Sequence, residues 1–164
     1  MWFRRKQEGD PAQVVQGLRE QVLTIQANQL GVAPTAERPH VWGVLMETGY
    51  SEAVATLVVL GDGTTSLYFS NGGGVIGAGT HDAVRVASES FLSKAEEHVA
   101  DLAAVSATPL PDVGRVRFYV QTFTGILGVE AGQEDLGEGR HELSPLFHAG
   151  HAVITAVRES TPDQ

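Results

Sequence analysis

Gly72-Gly73-Gly74-Val75-Ile76-Gly77 has the spacing G-x-G-x-x-G, with a strand signal before it and a helix signal after it. In a dinucleotide-binding domain such glycines let the backbone close on a pyrophosphate at a helix N-terminus. With Gly79, the stretch holds five of the chain's 19 glycines. Ser70, Asn71 and His81 flank it, and Glu47 ends an earlier apolar run with Tyr50 close behind. Ser70, Asn71, Gly72, Gly73, Gly74, His81 and Glu47 are therefore the candidate ligand-binding set. The wider context of a nucleotide site is missing. An acidic residue should end a second parallel strand roughly 20 positions on, but the region around Glu96 and Glu97 reads as mid-helix. No lysine follows the glycines, which excludes a P-loop. A helix start there suits an anion, yet Asp82 already puts a negative charge in its first turn. The preferred reading is a tight crossover whose glycines serve close packing.

The other chemistries are weaker. His141, His148 and His151 cluster with Glu142, but Ser144-Pro145 sets His141 outside the helix and H-E-L-S-P is not H-E-x-x-H. His148 and His151 share a face with Thr155 and Arg158, and read as solvated residues. A Ser-His-acid set can be assembled from Ser70, His81 and Glu47, but no G-x-S-x-G elbow supports a hydrolase. Residues 113–122 alternate cleanly. Val116, Phe118, Val120 and Thr122 point one way, and Arg115, Arg117, Tyr119 and Gln121 the other. Arginine and tyrosine on one strand face suit a polar interface. These four are the interface candidates, facing an acidic partner such as the Glu134, Asp135 and Glu138 segment of a second copy. The competing reading is an exposed face whose charges discourage edge pairing.

The totals bound the rest. The chain of 164 residues is long enough for one domain with its own core. It has no cysteine, which excludes disulfides, thiolate metal sites and a cysteine nucleophile. The formal charge is −9, and −12 without Arg4, Arg5 and Lys6. Such a body repels phosphate backbones, so no nucleic-acid partner is expected. No apolar run approaches the roughly 20 residues of a membrane span. Residues 1–9 read as a flexible basic leader without a signal-peptide core, and the chain as cytoplasmic. Trp2 and Phe3 beside Arg4, Arg5 and Lys6 have the composition to touch an anionic membrane surface, but a disordered leader is the better reading.

The elements that must position these residues form a simple series. Asp10 caps and Pro11 opens a first helix, whose apolar positions Val14, Val15, Leu18, Val22, Ile25 and Leu30 lead to Gly31 at C′. After a linker at 32–39, strands are expected at 41–48, 53–60 and 65–70. Residues 53–60 are apolar almost throughout, as in a strand covered on both faces. Val75 and Ile76 suggest that 73–79 is itself extended. Thr80 caps a second helix with Val84, Ala87, Phe91, Ala95, Val99 and Leu102 on its buried stripe, ended by the prolines of 108–111. Strands at 113–122 and 126–131, an acidic loop at 132–139 and a helix opened by Ser144-Pro145 complete the series. The expected fold is α+β, order α-βββ-α-ββ-α, with a single five-stranded antiparallel sheet and helices on both faces. Residues 10–159 form the one domain, and 160–164 a frayed tail.

Two resemblances follow from these residues. LMETGYSEAVATLVVLGDGTTSLYFSNGGGVIGAGTHDAVR, residues 45–85, resembles the central segment of a family of small, uncharacterised bacterial proteins. The order of elements is similar to profilin-like modules, including the roadblock and longin groups. That second resemblance implies a scaffold or regulator that dimerises through a helix or a sheet edge. The expectation is a noncatalytic protein-binding or scaffold module, homodimeric, without cofactor or metal. The alternative is a small-ligand-binding or hydrolytic domain using the glycine-rich loop at 70–81.

Overall fold

The computed structural model describes residues 10–161. The leader at 1–9 and the last three residues of the tail lie outside the described residues. The helices are α1 (Pro11–Thr24), α2 (Asp82–Glu97), α3 (Gln133–Gly137) and α4 (Ser144–Ser160). The strands are β1 (Val41–Gly49), β2 (Val54–Leu60), β3 (Thr65–Phe69), β4 (Gly74–Val75), β5 (Ala103–Ala104), β6 (Arg115–Thr122) and β7 (Gly125–Gly132). They form one antiparallel sheet in the order β4-β3-β2-β1-β6-β7-β5. No described helix is long and apolar enough to cross a membrane.

The α+β class and the helices on both faces hold, but among the described residues the sheet has seven strands, not five. The two additional strands are two residues each. One sits inside the glycine-rich stretch and the other in what reads as the end of α2. Strand propensity barely operates over two residues; the long neighbours β3 and β7 recruit them by offering open edges.

Helices α2 and α4 cover one face, where Phe91, Phe118, Met46, Leu146 and Val153 meet. Helix α1 and the segment after it cover the other, over Leu45, Val58, Tyr68 and Tyr119. This double cover explains why every residue of β1 is buried. Gly150 brings α4 onto the sheet, since a methyl group there would lie 2.6 Å from the Met46 sulfur.

Several boundaries differ from those read in the sequence. Asp10 does cap α1, accepting from Gln13 N, but the helix ends at Thr24. Ile25 is extended, and Leu30 belongs to a separate 3-10 turn closed by left-handed Gly31. The apolar period survived the break because both pieces lie on the same sheet face. Thr80 does not cap α2. A 3-10 turn at Ala78–Thr80 precedes it, and His81 takes the N-cap position with no side-chain bond. Val99 and Leu102 lie beyond the end of α2 yet still pack on the core. Ser144 is the first residue of α4 rather than its cap. The acidic loop at 132–139 contains the short helix α3.

Candidate functional site

Strand alternation and register decide what lies under α1. Tyr68 faces Thr56, Thr56 faces Glu47, Glu47 faces Arg117, and Arg117 faces Glu130. This row of five polar residues crosses the sheet on the α1 face. The next row brings Ser66, Val58, Leu45, Tyr119 and Gly128 into line.

Arg19 of α1 closes on the centre of the first row. Its Nε donates to Glu47 Oε2 at 2.6 Å and its Nη2 to Oε1 at 2.8 Å, a bidentate pair. Nη2 also donates to the Thr108 carbonyl at 2.7 Å, tying down the loop that leads into β6. Thr56 Oγ1 donates to Glu47 Oε2 at 2.7 Å. Glu47 is 0% exposed and Arg19 14%. Burial disfavours the Arg19 cation, but the hydrogen bonds and charge of Glu47 outweigh that and raise its pKa. Tyr68 is pushed up to about 12, first by burial and then by the Glu47 charge, with Arg19 opposing. Tyr119 is also raised, mainly by burial. Its hydroxyl donates to the Pro109 carbonyl at 2.6 Å. The arrangement is a sealed anchor. The carboxylate has its partners and no solvent access, so no substrate reaches it.

The glycine-rich stretch does something different. Gly72 lies against α1, where a methyl group would come within 2.5 Å of Pro11 Cβ. Gly74 presses on β3, its methyl position 2.5 Å from the Leu67 carbonyl oxygen. A methyl group at Gly79 would run into the Gly63 carbonyl of the β2–β3 turn. Gly73 meets only the Phe69 ring at 3.9 Å. Ser70 Oγ accepts from Val54 N at 2.8 Å, while Asn71 and His81 are exposed. Among the described residues, no hydrogen bond joins Glu47 to Ser70, Asn71 or His81. The candidate set is thus divided between a sealed sheet centre and an open sheet edge.

Two clefts flank that edge. On the α1 face, Pro11, Val14, Leu18, Tyr68 and Ile76 line a cleft of about 320 Å³. On the α4 face, Leu67, Phe69, Val75, Val157 and Arg158 line one of about 460 Å³. Gly73 and Gly74 border both.

The four interface candidates are also divided. Arg115 is exposed and Arg117 partly so, both paired with Glu130. Tyr119 and Gln121 are 2% and 1% exposed beneath α1 and its following segment, which removes them from this chain's surface. Gln121 Nε2 donates to the Val22 carbonyl at 2.6 Å. Strand alternation identified the shared face, but the helix that covers it lies about a hundred residues away in sequence. His151 is a further correction. It is half-buried against Phe147, ring centroids 4.4 Å apart, and burial lowers its pKa, helped by His148 and Arg158. His148 is exposed, as expected. Among the described residues, no group of three metal-ligating side chains comes together.

Arg19, Thr56 and Tyr68 are the members that reading the sequence missed. The available signal was Glu47 itself, a carboxylate inside an apolar strand that requires a buried cation nearby. The chain matches no family model, no curated protein and no solved structure.

Proposed function

We propose that the chain is a noncatalytic protein-binding module, profilin-like in its arrangement of elements, that works in the cytoplasm as a homodimer. The observation that carries this reading is the open sheet. Among the described residues its outermost strands are only two residues long, and the eight-residue β7 extends well past the β5 that borders it. On β7, the Ile126 carbonyl accepts from Val105, so alternation turns the Glu130 backbone groups toward the same outer edge. β5 reaches only Leu127 and Gly128. Beside this edge lie Arg115, 45% exposed, and the acidic helix α3. Opposite charges flanking one edge suit an isologous contact between two copies.

Native mass spectrometry tests the reading. A chain of 17.4 kDa should appear mainly at twice that mass. Glu130→Pro removes one outward donor and leaves the ladder to β6 intact, so it should shift the population to monomer. A strictly monomeric protein at high concentration, or a dimer unmoved by Glu130→Pro, counts against this edge as the interface.

A further inference from the structure

We propose that the β4 edge is a peptide-binding site, occupied by an extended, apolar segment of a partner protein with basic flanks. The proposal deepens the protein-binding reading and rests on it. Among the described residues β4 is the last strand on its side, and none of them forms a strand along the outer side of its backbone. Val75 turns toward the α4 face and Ile76, 66% exposed, toward the α1 cleft. A strand added beside them would send successive side chains alternately into the two clefts, since side chains alternate across a sheet. Both clefts are mainly apolar, so the fitting segment is a continuous apolar run rather than an alternating one. Main-chain hydrogen bonds would supply affinity and the two clefts selectivity.

Gly73 and Gly74 fit this role. They border both clefts and place no side chain between an incoming backbone and the edge. Among the described residues, Arg158 is the only charged side chain lining either cleft, while the whole chain carries −9. That field favours a segment with lysine or arginine at its ends. A second copy is the poorer occupant. It would bring only the two residues of its own β4, too little surface for a stable contact.

The test uses the acetylated, amidated peptide Lys-Lys-Val-Leu-Val-Leu-Lys-Lys with the full chain in calorimetry, and hydrogen exchange to locate it. Saturable binding is expected, with new protection at the amides of Gly74 and Ile76. Replacing both leucines of the peptide by proline removes two main-chain donors and should weaken binding by at least about tenfold. Ile76→Asp puts a charge at an exposed position and should weaken it by a similar factor. No saturable binding, equal binding of the proline peptide, or protection confined to another surface would overturn the proposal. Ile76→Asp lies at the edge opposite β7 and should leave the dimer mass unchanged. Failure of the peptide site is thus read separately from failure of the protein-binding reading.

Discussion

Replacing Arg19 by methionine removes the cation that seals Glu47 while keeping a long side chain in place. Glu47 now receives two hydrogen bonds from Arg19, at 2.6 and 2.8 Å, and one from Thr56 at 2.7 Å. In the variant a fully buried carboxylate keeps only the threonine, and the Thr108 carbonyl loses its donor as well. Breaking a buried ion pair by removing one partner costs about 3–5 kcal/mol, against about 0–1 kcal/mol for an exposed pair. Because Arg19 retains 14% exposure, water can reach the vacated end. The expected loss is therefore at the lower limit, about 3 kcal/mol, or roughly 6–12 °C in Tm for a domain of this size. Urea unfolding followed by circular dichroism reads it as a lower midpoint with an unchanged slope. α1 has no fully buried residue of its own, so its amides should exchange faster while those of β1 keep their protection. Combining Arg19→Met with Glu47→Leu removes both charges and should recover most of the loss. A loss below about 1 kcal/mol for the single variant would place the pair with exposed ones and refute the sealed anchor. So would a double variant whose loss is simply the two single losses added.

Three further outcomes follow from other contacts. Gly79→Ala drives a methyl group into the Gly63 carbonyl and should cost more than about 2 kcal/mol, whereas Gly73→Ala should stay within about 1 kcal/mol; equal losses in thermal melts would contradict the packing assigned to Gly79. Tyr68 holds its proton up to about 12 in the folded chain, against 10.0 unperturbed. Its stabilising contribution is complete below pH 10 and lost as pH rises through 12, so Tyr68→Phe should flatten the alkaline fall in stability, and an unchanged alkaline profile would rule this out. Burial acts to raise the Glu96 carboxyl, but hydrogen bonds from Val41 N and His40, with the His40 charge, lower it below 4.5. Its contribution is present above 4.5 and lost as pH falls through the lowered value; Glu96→Gln should therefore destabilise at pH 7, and the gap to the parent should close in acid.

Local chemistry made much of this protein legible. The Asp10-Pro11 start of α1 needs only a cap and a residue without an N–H, and both are properties of adjacent residues. The apolar run of β2 announced a strand covered on both faces, because only burial on both sides tolerates six consecutive residues without solvent access. Alternation in β6 likewise sorted Val116, Phe118 and Val120 from Arg117, Tyr119 and Gln121. The rest depended on partners distant in sequence. Nothing adjacent to Glu47 shows that Arg19 will reach it, since the pair spans 28 residues and forms only when α1 lies across the sheet. Nothing adjacent to Tyr119 or Gln121 shows that they will be covered. The same holds for the short strands, which exist because β3 and β7 offer free edges, and for the clefts that flank β4. Periodicity and capping are short-range properties of the chain. Which charge is sealed and which edge stays open is decided by packing, because burial is a property of the assembled fold.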